Sequence, residues 1–302
     1  MSILDLTACR LCPRECGVDR TKGEKGVCGA SDKITCARAS LHLWEEPCLS
    51  GNKGSGTVFF SGCNMGCVFC QNGQISHGGK GIEISPQRLC EIFFELRDAG
   101  AHNINLVTAG HFLPQVLWAV EKAKIQNIGI PFVYNSSGYE KREAIARCQG
   151  LIDIFLPDFK YMDNVSAKKY SNTPDYPEIA KEAIGEMVAQ QPKCIFDDDG
   201  IIECGVIVRH LMLPTSLCES KKIIKYLYET YGDKIFISIM SQYTPVGSLK
   251  KFPELMNKVS KKDYDELVDF AIELGVENAF IQEGEAAQES FIPNFNGEGI
   301  EV

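Results

Sequence analysis

Three cysteines lie close together in a segment that could hold a metal centre. Cys63, Cys67 and Cys70 follow the spacing C-x3-C-x2-C, and Gly62 and Gly66 allow the loop that carries them to curve tightly. Thiolates are the soft ligands that hold iron–sulfur clusters. Three of them leave one iron of a [4Fe–4S] cluster without a protein ligand, so that iron could bind and activate another molecule. A zinc site and three unrelated buried thiols are the alternatives, but a structural zinc usually takes four protein ligands.

A second group of cysteines lies near the amino terminus. Cys9, Cys12, Cys16 and Cys28 provide four thiolates within twenty residues, enough for a closed metal site. Zinc and an auxiliary iron–sulfur cluster both fit this set, and the absence of any metal is the third alternative. A zinc ion would fold a segment that lacks a core of its own, whereas a cluster could relay electrons. The other seven cysteines are scattered, which is typical of small core side chains.

The composition restricts the compartment and the partners. The 302 residues are 44% apolar and 24% charged, which is ordinary for a globular protein, and the net charge of −9 argues against a nucleic-acid partner. No apolar run approaches the ~18 residues of a membrane span. The first residues include an early acid, Asp5, and no basic stretch, unlike a secretory signal. We therefore expect a cytoplasmic protein whose reduced thiols act as metal ligands and not as disulfide bridges.

From Gly56 onward, apolar runs alternate with helical patterns. The runs predict strands at residues 57–60, 104–107, 131–134, 151–156, 204–213, 235–240 and 278–281. Helices are predicted at residues 86–100, 114–124, 139–148, 179–190, 216–231 and 260–275, and a hairpin turn at 197–200. About six strand–helix units predict an α/β fold with a parallel sheet, in the form of a partial (β/α)6 TIM-like barrel. A doubly wound sheet is the alternative.

The same rhythm divides the chain in two. Residues 1–55 are predicted to form a cysteine-rich, irregular metal-binding lobe, and residues 56–302 the core domain that carries the three-cysteine loop. Glu45 and Glu46, near the end of the lobe, are interpreted as part of a solvated face, with a place at the substrate entrance as the alternative. In either architecture of the core domain, ligands bind at the carboxyl ends of the strands.

Polar residues follow several of the predicted strands and are candidates for this site. Asn135 and Ser137 follow the third strand, although they are also common turn residues. Asp158 and Lys160 alternate with an aromatic residue, so both point to one face, where an ion pair with each other is the alternative to a ligand contact. Arg209 lies in an apolar run and needs an anionic partner, which could be a ligand or a protein carboxylate.

The segment Cys63-x3-Cys67-x-Phe69-Cys70 after a first strand resembles the radical S-adenosylmethionine (SAM) superfamily. Within that superfamily the chain resembles pyruvate formate-lyase activating enzyme and its poorly characterised iron–sulfur relatives, from about Thr57 to Ile281. The segment at Asp158 resembles the D-x-K core of the activating enzymes' fourth strand. The segment 208–214, an arginine followed by an apolar run and a proline, resembles one of their later strands.

The resemblance implies a definite chemistry. The amino and carboxylate groups of SAM would chelate the open iron, and the reduced cluster would donate one electron to the sulfonium. The products would be methionine and a 5′-deoxyadenosyl radical, which abstracts a hydrogen atom from the substrate. The implied partners are SAM, a reductant such as flavodoxin or ferredoxin, and a glycyl radical enzyme as the substrate protein. Modification of a small molecule or peptide is one alternative, and a non-catalytic iron–sulfur protein for electron transfer or sensing is another.

The resemblance also implies contacts with SAM. Gly110 matches the glycine-glycine-glutamate turn that holds the SAM amino group in family members, but His111 replaces the acid, and an ordinary loop histidine is the alternative. Asn135 and Ser137 would contact SAM or a monovalent cation. The remaining implied SAM contacts are the charged side chains Asp158, Lys160 and Arg209.

Overall fold

The structure, a computed structural model, describes residues 3–77, 79–246, 249–281 and 293–301. Residue 302, the predicted end of the core domain, lies outside the described residues. Within them the strands are β1 (Ile34–His42), β2 (Ser55–Phe60), β3 (Ile82–Ile84), β4 (Ile104–Val107), β5 (Phe132–Ser136), β6 (Ile154–Pro157), β7 (Ile195–Phe196), β8 (Ile202–Leu211), β9 (Phe236–Met240) and β10 (Ala279–Ile281). The α-helices are α1 (Pro47–Ser50), α2 (Gly73–Ser76), α3 (Pro86–Asp98), α4 (Leu113–Ile125), α5 (Arg142–Ile145), α6 (Asn164–Ser171), α7 (Tyr176–Gln190), α8 (Leu217–Tyr231) and α9 (Lys261–Leu274).

The strands form a mostly parallel sheet that does not close on itself. Its order is β10-β9-β8-β6-β5-β4-β2-β1-β3, with β7 paired to β8 beside this path. Neighbours from β2 to β10 along this path are parallel, whereas β1 runs antiparallel to both β2 and β3. All seven predicted strands are present in this parallel part, and the predicted hairpin joins β7 to β8. The partial α/β barrel is therefore confirmed.

Burial on both faces explains why the parallel strands read as continuous apolar runs. Every residue of β2, β4, β5 and β6 is buried, as expected for strands covered by helices on one side and by barrel interior on the other. Helix α3 begins where predicted, because the Ser85 side chain accepts a hydrogen bond from the backbone N–H of Arg88. The predicted helix at 139–148 is shorter, with α5 followed by one 3-10 turn.

Strand β1 is the main element that the sequence reading missed. It lies within the segment predicted to be irregular, and it pairs with six residues of β2. The register shifts between Cys36 and Arg38, so a bulge interrupts the alternation of buried and exposed residues. Small residues such as Ala37 and Ala39 supply most of its buried positions, and they carry a weak strand signal.

The last described segment, residues 293–301, lies along β1 and is called here the carboxyl-terminal strap. The backbone N–H of Ala39 donates to the Glu298 carbonyl (2.8 Å), and that of Gly297 donates to the Ala37 carbonyl (3.0 Å). Ile300 is completely buried. The strap therefore continues the pairing of β1 beyond its short contact with β3.

The scattered cysteines mostly fill the core, as predicted. The structure contains no disulfide: all fourteen cysteines are free, and four of the scattered ones are buried. These four are Cys36, Cys48, Cys90 and Cys148. Cys194 and Cys204 are partly buried, and Cys218 on α8 is exposed, so the prediction was wrong for Cys218. None of the described helices combines the length and apolar character that crossing a lipid bilayer requires.

Candidate functional site

A cavity of about 260 Å³ lies at the carboxyl ends of the parallel strands. The thiols of Cys63, Cys67 and Cys70 line one side, and no other cysteine of the described residues does. The polar part of the lining comes from the ends of β5, β6 and β8. Its residues include Asn135, Ser136, Ser137, Asp158, Lys160 and Arg209. The fold thus brings three predicted thiols and five predicted polar residues to one cavity, because parallel strands end at the same edge.

Each of the three sulfurs accepts a hydrogen bond from the chain. The Met65 backbone N–H donates to Cys63 Sγ (3.4 Å), and the Ser76 hydroxyl donates to Cys70 Sγ (3.4 Å). The Ser171 hydroxyl, at the end of α6, donates to Cys67 Sγ (3.0 Å). Sulfur accepts hydrogen bonds best when it carries negative charge, so these donors favour thiolates.

The thiols fit the iron–sulfur cluster that the loop predicts. Burial raises the pKa of Cys63 and Cys70, so without a cation they would hold their protons. Bound iron would reverse that preference, because its positive charge favours the thiolates. Among the described residues, no three Cys, His, Asp or Glu side chains are close enough to hold a single metal ion. A [4Fe–4S] cluster does not require such convergence, since each thiolate binds a different iron.

Arg209 connects three strand ends and the segment after β1. Its guanidinium donates to Asp158 Oδ1 (2.9 Å), Asn135 Oδ1 (2.7 Å) and Glu45 Oε2 (3.3 Å). Lys160 Nζ donates to the second oxygen of Asp158 at 2.5 Å. The sequence left two kinds of anionic partner open for Arg209, a ligand or a protein carboxylate. In the structure its anionic partners are the carboxylates of Asp158 and Glu45.

Burial and charge act in opposite directions on this network. Burial alone would raise the pKa of Asp158, but Arg209 and Lys160 outweigh it and hold that pKa below its usual value. Burial also raises the pKa of Glu45 and of Glu46, although Arg209 is close to both. The prediction of a solvated face for these two acids was wrong. Glu46 is buried, and Glu45 is bonded to Arg209 and lines the cavity, as the alternative at the entrance implied for it. Sequence reasoning could not place them without knowing β1.

The turn after β4 differs in detail from the expectation. Gly110 and His111 do not line the cavity, whereas Thr108 does. Thr108 has a φ of +59°, a left-handed conformation that β-branched residues rarely adopt, and its N–H donates to the Asn135 carbonyl (2.9 Å). Backbone strain of this kind clusters at functional sites. Thr108 directly follows a predicted strand, and this position was the signal by which the sequence could have identified it as a site residue.

Gly110 and His111 lie behind Thr108. A Cβ at Gly110 would collide with the carboxylate of Glu140. The His111 ring donates from Nε2 to the Ser61 carbonyl (2.7 Å), and burial lowers its pKa to about 4, so the imidazole is neutral. The same histidine borders a second, smaller cavity.

The four amino-terminal cysteines all line that second cavity. Cys9, Cys12, Cys16 and Cys28 surround it together with Arg20. The structure thus brings together the four thiols that the sequence grouped, directly behind the three-cysteine loop: the Cys28 carbonyl packs so closely on Gly62 that a Cβ there would collide with it.

Comparison with known proteins adds four findings. Residues 57–197 match the family model of the Radical SAM superfamily. An uncharacterized protein of Methanocaldococcus jannaschii is 29% identical over 271 residues, which cover 87% of this chain and 74% of the relative. SuiB of Streptococcus suis, solved with bound S-adenosylmethionine, has a TM-score of 0.50 at 11% identity, covering 74% of this chain and 49% of SuiB. This likeness shows a shared fold, and the chain spans about half the length of SuiB.

A further similar structure is a domain of a pyruvate-formate lyase-activating enzyme from Bacteroides vulgatus. It has a TM-score of 0.42 at 13% identity, and the match covers 57% of this chain and 91% of that domain.

Proposed function

Because residues 57–197 match the family model of the Radical SAM superfamily, we propose that the protein is an enzyme that cleaves SAM reductively at a [4Fe–4S] cluster. Cys63, Cys67 and Cys70 would hold the cluster. The observation that carries the proposal is that these three thiols, each with a hydrogen-bond donor at its sulfur, line the same cavity as the polar strand ends. When bound, the cluster supplies the electron that converts SAM to methionine and a 5′-deoxyadenosyl radical.

The polar wall would bind and orient SAM. Asn135 and Ser137 offer an amide and a hydroxyl, and Lys160 offers a cation whose carboxylate partner, Asp158, can also accept from a ribose or an ammonium group. We propose that Arg209 contributes to SAM binding while its bonds to Asp158 and Asn135 fix those two side chains.

For Gly110 and His111 we propose an indirect part in SAM binding, through the path of the backbone behind Thr108. A strained Thr108 is held there by its bond to Asn135, and the neutral His111 ring is anchored on Ser61.

For the substrate we propose a glycyl radical enzyme, as the sequence resemblance implies. Trp44 lines the cavity and is 58% exposed, and its neighbour Leu43 is 55% exposed. Apolar side chains at a cavity mouth suit contact with another macromolecule more than a small polar substrate.

We further propose a flavodoxin or ferredoxin as reductant and a cytoplasmic location. At the four amino-terminal cysteines we propose a second metal, either zinc or iron–sulfur.

The first prediction tests SAM cleavage. Anaerobically reconstituted protein with dithionite is expected to release 5′-deoxyadenosine from SAM, measured by liquid chromatography. Cys67→Ala is expected to abolish release because it removes one cluster ligand, whereas Cys218→Ala, which removes the exposed thiol on α8, leaves it unchanged. A cluster that forms normally in the wild type without any release would contradict the proposal and favour an electron-transfer protein. A glycyl-radical EPR doublet on an added partner would identify the substrate class.

A further inference from the structure

Arg20 is a buried cation without a carboxylate partner. Only 1% of it is exposed, which makes it one of the largest fully buried side chains. Its guanidinium donates to the Ser31 carbonyl (3.0 Å from Nε) and the His111 carbonyl (2.6 Å), and it lies 3.9 Å from Cys9 Sγ. Among the described residues, no Asp or Glu forms an ion pair with it.

A buried guanidinium that meets only neutral groups is costly, because carbonyl dipoles replace part of the lost hydration but not a counter-charge. Glu15 also lines the second cavity, but its carboxylate is paired with Lys141. The remaining groups there that can become anionic are the four thiols. Four neutral thiols would leave the cation uncompensated. Four thiolates on a metal would carry net negative charge next to it.

We propose that Cys9, Cys12, Cys16 and Cys28 bind their metal as an anionic four-thiolate centre, with Arg20 as its buried counter-ion. In the structure no three of these thiols are close enough to share one ion, so a zinc ion would draw them together, whereas each thiolate of a four-iron cluster binds a different iron. The inference rests on the second metal of the proposed function and goes beyond it by assigning the charge of the centre, the residue that balances it and the loop that it supports. Each thiol that coordinates the metal releases its proton to solvent.

The hydrogen bonds at the second cavity agree with anionic sulfurs. The Val27 backbone N–H donates to Cys16 Sγ (3.3 Å), and Arg20 itself approaches Cys9 Sγ. The first of these repeats the arrangement at Cys63, where the backbone N–H of Met65 donates to the sulfur. Donors directed at sulfur stabilise thiolates and metal–thiolate bonds.

The same residues connect the centre to the three-cysteine loop. The Arg20 guanidinium donates a hydrogen bond to the His111 carbonyl, and the His111 ring donates one to the Ser61 carbonyl. Gly62 packs directly against the Cys28 carbonyl, which leaves no room for a Cβ at that position. The four-thiolate centre therefore supports the two residues that precede Cys63, and its occupancy stabilises the start of the loop.

The test counts metal in full-length protein in which Cys63, Cys67 and Cys70 are replaced by alanine, so that bound metal belongs to the second cavity. After anaerobic purification and incubation with Zn²⁺, or with iron and sulfide, we expect about one zinc or about four iron atoms per chain. Either result supports the centre and identifies its metal. Cys12→Ser with Cys28→Ser is expected to lose that metal. Absence of bound metal in the parent chain under both conditions would overturn the proposal.

The role of Arg20 as counter-ion is tested by changing its charge in the same protein that lacks Cys63, Cys67 and Cys70. Arg20→Gln is expected to weaken metal binding about 10- to 100-fold, the range for partners next to a metal's ligands, in competition with a chelator. Arg20→Lys, which keeps the charge, is expected to bind close to the parent. Lys22→Gln, on the exposed side of the same turn, is the control and should have no effect. Equal binding by the Gln and parent proteins, or equal loss in Gln and Lys variants, would overturn the assignment.

These measurements do not depend on SAM cleavage, since the cluster ligands are absent. Failure of the second site and failure of the proposed function are therefore separate results. Metal counting on the parent chain also stands if one Arg20 variant does not fold, which circular dichroism would reveal.

Discussion

Ser171 shows how much a single residue at this site can do. Its hydroxyl donates to Cys67 Sγ at 3.0 Å, and the Tyr161 hydroxyl, 2.7 Å away, donates to Ser171. Both side chains are buried, so this short chain of hydrogen bonds ends on Cys67, one of the three proposed cluster ligands. Hydrogen bonds to cluster sulfurs stabilise the more negative, reduced state and raise the reduction potential.

Removing this bond is therefore predicted to lower the potential of the cluster. For Ser171→Ala we expect a decrease on the order of 40 mV, if the bond is worth about 1 kcal/mol. The measurement is a redox titration followed by the EPR signal of the reduced cluster. Ser166→Ala, on the same helix but bonded to Asp163, is the control and should leave the potential unchanged. Equal potentials in the wild type and Ser171→Ala would contradict the prediction.

Single residues also show where sequence reasoning stopped. An arginine in an apolar run predicts a need for an anion, and Asp158 was itself a candidate, so this half of the network was within reach. Glu45 was not, because its position next to Arg209 depends on the path of β1. The positive φ of Thr108 has no counterpart in the residue type, so the strain there could be found only in the structure.

Among the strands, those buried on both faces were predicted from the sequence. Strands covered on both faces are continuous apolar runs, and those runs identified β2, β4, β5 and β6 from the sequence. Strand β1 has a bulge and many small or polar residues, and its partners come from β2, β3 and the strap. A pattern read along the chain cannot anticipate a partner more than 250 residues away.

The strap gives a prediction at this scale. Ile300 is completely buried between the strap and the core, so Ile300→Ala removes apolar contacts and leaves a cavity. We expect a loss of about 2–5 kcal/mol in the free energy of unfolding, measured with urea. Ile272→Ala is the matched control, because Ile272 is 62% exposed on α9 and should cost little. A loss for Ile300→Ala as small as the loss for Ile272→Ala would mean that the strap is not part of the folded core.

At the scale of the whole molecule, buried ionisable groups make stability depend on pH. His210 donates from Nδ1 to the Phe159 carbonyl (2.9 Å) and accepts from Ser220 (2.9 Å), and burial lowers its pKa to about 4. As the pH falls from 6.5 toward 4, the unfolded chain binds a proton at His210 that the folded chain does not. Stability is therefore lost in that window. Glu140 acts in the opposite sense, since burial raises its pKa to about 7 and stability falls as the pH rises from 4.5.

The two opposing effects are separated by comparing variants. The difference in unfolding free energy between the wild type and His210→Gln is predicted to shrink by about 3 kcal/mol between pH 7 and pH 4, since a pKa unit corresponds to about 1.4 kcal/mol. Denaturant titrations at several pH values provide the measurement. His77→Gln, at an exposed histidine, should follow the wild-type profile. A constant difference between wild type and His210→Gln would show that His210 titrates alike in both states.

The architecture as a whole was the most predictable level. Alternating strands and helices imply parallel pairing, and parallel pairing places the polar residues that follow the strands at one edge, which is how the cavity wall was anticipated. The meeting of β1 with the strap arises from long-range packing, which no local pattern contains.

Cys218 has a practical value for studying this molecule. It stands on the outer face of α8 and is exposed, whereas the other thirteen thiols are wholly or partly covered. A maleimide fluorophore or nitroxide can therefore be attached at one defined point far along the chain from either group of thiols. Such a reporter would let single-molecule or dipolar spectroscopy test for binding of the proposed substrate protein without altering either group of thiols.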